Sequence, residues 1–274
     1  MIIGACWREK GEAFFFFFQG IEKQEMIPSW DRSQLLLNQH TMSKICVFGS
    51  SSPQTSEVFR DAASQVGKEI ANIDGTCVNG GGKFGVMGAL NVACRKANGK
   101  ILGIIHQKFL DLGGGDMEIT DMIVCEGNDL VERKQLLMQK SDCILSLPGG
   151  PGTFSELWDA IVNKSLNFLD MGTMPICILN VDGYYNGTLE QMRLASTEKL
   201  LYGNLEDYYH VETDPVAAVQ WCNEEVRKLF MAQKDCHSSA MGTTSAATKK
   251  SNLEAALNQA NTTNNQNSAK AVES

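Results

Sequence analysis

The sequence lacks the excess of basic residues that proteins binding nucleic acids or anionic membranes usually carry. Its 274 residues include 24 Lys and Arg against 32 Asp and Glu, so the formal net charge is −8 at pH 7. A chain this acidic has no general field that attracts polyanions. We therefore expect no nucleic acid and no membrane among its partners, and any phosphate group must be held by a local site.

Long apolar runs are also missing. No stretch reaches the roughly 18 apolar residues that a membrane-spanning helix needs. The short run Phe14–Phe18 follows Glu12 rather than a basic segment, which does not fit a signal peptide. An organelle transit peptide within residues 1–41 remains an open alternative to a purely cytoplasmic protein.

Cysteine pairs of the metal-binding kind are absent as well. None of the nine cysteines belongs to a C-x-x-C pair, and several, such as Cys46 and Cys143, lie inside apolar runs. An odd number of cysteines in such runs indicates buried free thiols in a reducing compartment, with no metal site. The nine positions are 6, 46, 77, 94, 125, 143, 177, 222 and 236.

Residues 42–230 alternate short apolar runs with amphipathic segments. Ile45–Phe48 has the length of a buried strand, and Glu57–Asn72 has apolar residues at helical spacing. This alternation predicts a single α/β domain whose mostly parallel sheet is covered by helices on both faces. Residues 1–41 have no clear period and are expected to form a flexible extension. The polar stretch 231–274 is expected to be a disordered tail.

One glycine-rich turn is the strongest functional signal. The buried strand Cys143–Leu147 is followed by Pro148, by Gly149, Gly150 and Gly152, and by a helix expected to begin at an N-cap, Thr153. Free backbone N–H groups and the positive end of the helix meet at this turn, which suits a phosphate.

Glu156 follows Thr153 at the spacing T-x-x-E, and this spacing has two interpretations. In a capping box the glutamate only closes back on the N–H of the cap residue. However, a helix that needed only a cap would not require three glycines in front of it, since glycine costs about 0.5–1 kcal/mol of chain entropy to order. The sequence therefore favours a ligand that approaches this backbone closely, with Glu156 beside it.

A second glycine cluster contains Gly80, Gly81 and Gly82 within a G-x-G-x-x-G pattern, between a predicted strand and a predicted helix. A dinucleotide site would also require an acidic residue at the end of the following strand, and that strand ends at His106 without one. We therefore expect phosphate binding rather than dinucleotide binding. The alternative is that these glycines only let the helix pack closely on the strand.

Cationic residues open the helix that precedes the central strand. Arg133 and Lys134 lie near its N-terminus, where the helix dipole disfavours cations, and an anionic ligand or an acidic partner would compensate for this. The alternative, which these two residues alone would favour, is an ordinary solvated helix face. We expect the strands before this helix and before the Thr153 helix to be near neighbours, which would direct Arg133 and Glu156 into one pocket. Gly49 and Ser50, in the loop after the first strand, are candidate contacts of a phosphate or sugar.

Together these segments resemble the Lonely Guy family of cytokinin riboside 5′-monophosphate phosphoribohydrolases, whose members are often labelled lysine decarboxylases. The resemblance rests on N-G-G-G-K-F-G-V-M-G at 79–88, E-R-K at 132–134, P-G-G-P-G-T-F-S-E at 148–156 and N-V-D-G-Y-Y at 180–185. The sequence differs from the family pattern at 130–132, where Met-His-Gln is common, and at Asn79, where tyrosine is frequent. The first of these differences lies on the base side of the pocket.

The resemblance implies a Rossmann-like fold and hydrolysis of the N-glycosidic bond of a purine nucleoside 5′-monophosphate, with no metal and no cofactor. It implies Arg133 and Glu156 as the catalytic pair, with Gly149, Gly150, Gly152, Thr153 and the 80–82 glycines around the phosphate. It also implies a homodimer whose pocket lies near the subunit interface. Three alternatives stay open: a nucleotide-binding carrier or sensor of the same fold, an NAD(P) oxidoreductase, and a pyridoxal phosphate decarboxylase.

Overall fold

The structure is a computed structural model that describes residues 42–241 of the chain. The predicted extension at 1–41 and the part of the predicted tail from 242 to 274 lie outside the described residues.

Seven strands and seven α-helices occur within the described residues. The strands are β1 (Lys44–Phe48), β2 (Thr76–Asn79), β3 (Lys100–His106), β4 (Asp121–Cys125), β5 (Cys143–Ser146), β6 (Ile176–Leu179) and β7 (His210–Glu212). The helices are α1 (Glu57–Asn72), α2 (Gly85–Lys96), α3 (Gln107–Asp111), α4 (Val131–Gln139), α5 (Pro151–Ser165), α6 (Asn186–Thr197) and α7 (Pro215–Met241).

The seven strands form one sheet in the order β4-β3-β2-β1-β5-β6-β7, and every neighbouring pair is parallel. From β1 the chain adds β2, β3 and β4 on one side of the sheet, and it then returns to add β5, β6 and β7 on the other side. The direction in which strands are added therefore reverses between β1 and β5. In open parallel sheets, ligands bind outside the carboxyl ends of the strands at this reversal. The predicted Rossmann-like α/β fold with a mostly parallel sheet is confirmed.

Helices cover both faces of the sheet because the strand residues are apolar on both sides. In β1, Ile45 and Val47 pack into the core shared with α1, α2 and α7, whereas Cys46 and Phe48 pack into the core shared with α4 and α5. Successive side chains of a strand point to opposite faces. Such continuous apolar strands are typical of parallel sheets buried on both faces.

Helices α1 and α2 approach each other closely at Gly67. A Cβ atom at this position would lie 2.3 Å from the carbonyl oxygen of Leu90 and 3.1 Å from the backbone nitrogen of Cys94. The helices can therefore pack at this distance only because Gly67 has no side chain.

The structure departs from the sequence-based expectations at several element ends. Helix α7 continues to Met241 instead of ending at Leu229, so residues 231–241 are helical rather than part of a disordered tail. The edge strand is His210–Glu212 rather than 208–211. The short helix α3 was not expected, since its five residues are too few to show a helical period.

Seven cysteines of the described region are free and buried. Among residues 42–241, no helix is long and apolar enough to cross a bilayer.

Replacing Gly67 with alanine should destabilise the protein by about 2 kcal/mol, because the new methyl group must displace backbone of α2 rather than a mobile side chain. Urea unfolding followed by circular dichroism measures the effect. Gly187→Ala is the matched control: this glycine also lies in a helix, α6, and a Cβ there would contact nothing within 4 Å. If the two variants were equally stable, the close approach of α1 and α2 would not depend on Gly67.

Candidate active site

A cavity of about 410 Å³ opens at the carboxyl edge of the sheet, where the loops after β1 and β5 meet. Its volume lies within the range of small-molecule pockets. The described residues that line it are Gly49, Ser50, Ser51, Ser52, Met87, Phe109, Leu130, Arg133, Lys134, Gly150, Pro151, Gly152, Thr153, Ser155 and Glu156.

A buried ion pair forms one wall of the cavity. Arg133 Nη1 donates to Glu156 Oε1 at 2.8 Å, and Arg133 Nε donates to the carbonyl oxygen of Ile104 at 2.9 Å. The two side chains are only 7% and 10% exposed, respectively. Neither Arg133 Nη2 nor Glu156 Oε2 has a hydrogen-bond partner among the described residues, and neither is sealed from solvent. One donor and one acceptor therefore remain available to a ligand.

The two side chains do meet as predicted, but the strand arrangement that was expected to bring them together is wrong. Helices α4 and α5 follow β4 and β5, and these strands are not near neighbours, because β3, β2 and β1 lie between them. Helix α4 begins over β3 instead, as the bond from Arg133 to the carbonyl of Ile104 shows. A helix that connects an edge strand with a central strand must cross the intervening strands, and this crossing carries Arg133 to Glu156.

The N-terminus of α5 supplies unbonded backbone donors. The helix begins at Pro151 with Gly150 as its N-cap, and no side chain caps it. Among the described residues, the N–H groups of Gly152 and Thr153 donate to no acceptor. Uncapped N–H groups and the positive end of the helix dipole form an anion-binding site.

Thr153 is therefore not the N-cap that the sequence suggested. Proline has a fixed φ and no N–H, which favours it at the first helical position, so Pro151 starts the helix and Thr153 lies in its first turn. The capping-box interpretation of Glu156 is wrong as well, because its carboxylate bonds to Arg133 and Thr153 lies inside the helix.

Four glycines named as phosphate contacts do not line the cavity, namely Gly80, Gly81, Gly82 and Gly149. A Cβ at Gly80 would lie 2.2 Å from Arg133 Nη2, and a Cβ at Gly149 would lie 2.1 Å from Thr153 Oγ1. Both positions therefore make room for side chains of the site. Gly81 has φ +68° and donates its N–H to the side chain of Asn79, which fixes the course of this loop.

Gly49, Ser50, Gly150, Gly152, Thr153 and Lys134, all predicted as binding residues, do line the cavity. Ser50 joins three segments: its N–H donates to Pro148, its carbonyl accepts from Met87 N, and its hydroxyl accepts from Ser52 N and Thr55 Oγ1. The loop after β1 is thus held against the loop after β5 and against the start of α2.

Lys134 brings a second cation to the cavity. Its ammonium pairs with the carboxylate of Asp159 and donates to Ser155 Oγ at 3.2 Å. Both partners lie on α5, so Lys134 ties α4 to α5 beside the Arg133–Glu156 pair.

Sequence reasoning missed the apolar part of the lining. Phe109 and Leu130 come from α3 and from the N-cap of α4, and Met87, in the first turn of α2, also faces the cavity. Leu130 lies at the end of the loop between β4 and α4, where no sequence period marks it as part of a pocket. Phe109 is half-exposed and sits in a helix too short to predict.

Two tyrosines form hydrogen bonds with the glycine turn and with the end of the strand before it. Tyr184 donates its hydroxyl to the carbonyl of Gly149, and its ring stacks on Phe154. Tyr185 is fully buried, and its hydroxyl contacts Ser146 Oγ at 2.9 Å and the carbonyl of Leu147 at 2.7 Å. These contacts fix the strand end from which the turn departs.

Burial controls the electrostatics of the carboxylate. Desolvation raises the pKa of Glu156 above its ordinary value, whereas Arg133 and, more weakly, Lys134 act to lower it. Because the net direction is upward, loss of hydration outweighs the favourable pairing in the cavity before a ligand binds.

Comparison with known proteins relates this chain to one family. Residues 87–222 match a family model described as possible lysine decarboxylase. The chain is 31% identical over 210 residues to a probable cytokinin riboside 5′-monophosphate phosphoribohydrolase, LOGL2, of Oryza sativa subsp. japonica, and this alignment covers 69% of the chain and 82% of that protein. It is 38% identical over 146 residues to cytokinin riboside 5′-monophosphate phosphoribohydrolase LOG5 of Arabidopsis thaliana, covering 52% of the chain and 60% of that protein.

A solved structure agrees in fold. The X-ray structure of TM1055, a structural genomics target, has a TM-score of 0.50 and 24% sequence identity, and the match covers 67% of this chain and 99% of that one.

The raised pKa of Glu156 predicts a specific pH dependence of stability. The native protein binds this proton more tightly than the unfolded chain, so the contribution of Glu156 to the free energy of unfolding rises as the pH falls towards its ordinary pKa. The free energy of unfolding of the wild type minus that of Glu156→Gln, both from urea unfolding, should therefore increase as the pH is lowered from about 8 to about 5. Glu132→Gln, which changes an exposed carboxylate next to Arg133, is the control measured alongside. A decrease at low pH would mean that pairing with Arg133 outweighs desolvation.

Proposed function

Because the chain belongs to the Lonely Guy family of cytokinin riboside 5′-monophosphate phosphoribohydrolases, we propose that it hydrolyses the N-glycosidic bond of a purine nucleoside 5′-monophosphate. Water adds its hydroxyl to C1′ of the ribose and its proton ends on the base, so the products are free base and ribose 5-phosphate. One observation carries the proposal: the Arg133–Glu156 pair and an uncapped helix N-terminus share one cavity.

The phosphate binds at the start of α5 in this proposal. The free N–H groups of Gly152 and Thr153 donate to its oxygens, and Gly150 and Gly152 leave the approach open, since a Cβ at either position would contact nothing within 4 Å. Arg133 and Lys134 supply positive charge. Binding energy from this non-reacting group holds the ribose in the geometry that the reaction needs.

The ribose faces the carboxylate. Glu156 Oε1 is held by Arg133, and Oε2 accepts from the ribose hydroxyls and stabilises the positive charge that develops at C1′ as the base leaves. The cavity also has apolar residues, namely Met87, Phe109 and Leu130, that can contact the base and any alkyl group attached to it.

Several observations weigh against the alternatives. A dinucleotide oxidoreductase would use the 80–82 glycines, but these do not line the cavity, and β3 ends at His106 without an acidic residue. A pyridoxal phosphate enzyme needs a free lysine, whereas Lys134, which is the lysine lining the cavity within the described residues, is paired with Asp159 and Ser155. A carrier or sensor would need only to bind the nucleotide. It would not require the carboxylate of Glu156, whose burial costs hydration free energy.

We also propose a homodimer with its interface beside the cavity. Exposed apolar side chains lie on and after α4 and α5, including Val131, Val162, Leu166 and Phe168, each at least 50% exposed. Lys134 lines both the active-site cavity and a second cavity over this surface. A second copy packed here would lie against the entrance of the site.

The cellular location proposed for the protein is a reducing compartment such as the cytoplasm. The seven free, buried thiols of the described region support this proposal.

Incubation with AMP and with an N6-prenylated AMP should release free base and ribose 5-phosphate, detected by chromatography. Glu156→Gln should lower the rate by roughly 100- to 1,000-fold, because the charge that stabilises the oxocarbenium-like sugar is lost. The control Glu224→Gln, which changes an exposed carboxylate on α7 outside the cavity lining, should keep wild-type activity. Binding of both nucleotides without release of base would favour the carrier.

Replacing Gly80 with alanine tests whether this glycine acts through Arg133. The methyl group should displace the guanidinium and lower kcat by about 100-fold, and it should also raise KM, because Arg133 supplies positive charge to the phosphate. Gly150→Ala, whose methyl group would enter the cavity at the start of α5, should raise KM and preserve kcat. If Gly80→Ala raised only KM, Gly80 would contact the substrate directly.

A further inference from the structure

Helices α1 and α2 form a second concave surface, which we call the α1–α2 groove. It encloses about 790 Å³ and shares no described lining residue with the active-site cavity. The described residues that line it are Pro53, Arg60, Ser64, Gln65, Lys68, Lys83, Phe84, Gly85, Gly88, Ala89, Val92, Ala93, Lys96 and Ala97.

The floor of the groove is apolar and includes several small residues of α2. On α2, Gly85, Ala89, Val92 and Lys96 follow one another at spacings of three or four, so they lie along one face of the helix. Val92 is 39% exposed and Phe84, directly before α2, is 43% exposed. Small side chains at helical spacing leave a furrow into which the ridge of another helix can pack.

The rim of the groove carries positive charge only. Arg60, Lys68, Lys83 and Lys96 line it, and none of these four forms an ion pair with a described residue. The described lining contains no Asp or Glu, although the whole chain has a net charge of −8. Lys83 lies over the ring of Phe84, 5.2 Å from its centroid. Four cations without a carboxylate partner among the described residues, around an apolar floor, are complementary to acidic groups around an apolar ridge.

The dimensions fit a short helix. Arg60 and Lys68 are roughly 12 Å apart along α1 at 1.5 Å per residue, and the α2 face from Gly85 to Lys96 extends roughly 16 Å, or three helical turns. A second copy docked through this same face would place like charges opposite one another, which is unfavourable. A flat bilayer surface cannot enter a concave groove between two helices.

We propose that the α1–α2 groove is a docking site for an acidic amphipathic helix of a protein partner, about three turns long. Its apolar seam lies on Ala89, Val92 and Ala93, and its carboxylates pair with the four cations of the rim. This is helix-in-groove recognition with the charge pattern supplying specificity.

Fluorescence anisotropy with a labelled synthetic peptide of about 14 residues tests the proposal. The peptide has leucine at the seam positions and glutamate at the flanking positions, and its counterpart has lysine in place of glutamate. The acidic peptide should bind the full chain with an affinity that falls as salt is raised, and the basic peptide should bind at least tenfold more weakly.

Arg60→Glu and Lys96→Glu should each weaken the acidic peptide about tenfold. Lys140→Glu is the matched control, because Lys140 is an exposed cation at the end of α4, on the opposite face of the sheet. Equal binding of the two peptides, no binding of either, or unchanged affinity in both groove variants would overturn the proposal. Binding to vesicles containing phosphatidylserine, lost in the groove variants, would overturn it in favour of a membrane surface.

Discussion

The site depends on one buried contact, the ion pair of Arg133 and Glu156. Taking a guanidinium and a carboxylate out of water costs several kcal/mol for each ion, and their attraction offsets this only with good geometry and additional hydrogen bonds. Here the carbonyl of Ile104 provides one of those bonds. Removing either partner would leave a buried charge without compensation. The geometry of the site therefore requires the N-terminal ends of α4 and α5 to keep their relative position.

The glycines around the pair serve two different purposes. Gly80 and Gly149 have no side chain because Arg133 and Thr153 occupy the space where a Cβ would lie. Gly150 and Gly152 border open space and leave the N-terminus of α5 accessible. One set of glycines makes room for side chains of the site, and the other leaves the backbone donors open to the cavity. Sequence spacing alone cannot separate these roles, because both appear as glycine in a turn.

Much of the fold could be predicted because strands buried on both faces and amphipathic helices leave clear periods; α1 was predicted with its observed ends, Glu57 and Asn72. The pairing of Arg133 with Glu156 could also be anticipated, from a cation at the unfavourable end of a helix dipole and an acid after a glycine turn. The order of the strands in the sheet could not be predicted, since no local sequence pattern shows how many strands the connection from β4 through α4 to β5 crosses. The cap of α5 was misplaced because Thr153 is a good N-cap by residue type, while Pro151 fixes the start two residues earlier.

Helix α2 belongs to both concave surfaces, yet its two ends are separated enough to be altered independently. Met87, in its first turn, lines the active-site cavity, and Gly85 lets the backbone of Ser50 and Ser52 pack on the helix start, where a Cβ would lie within 2.8 Å of both carbonyl oxygens. Lys96 lies roughly 13 Å further along the axis. Because Lys96 is exposed and α2 is held against α1 at Gly67, a charge reversal at Lys96 changes the surface without moving Met87. The candidate active site and the α1–α2 groove can therefore be distinguished by substitution within a single helix.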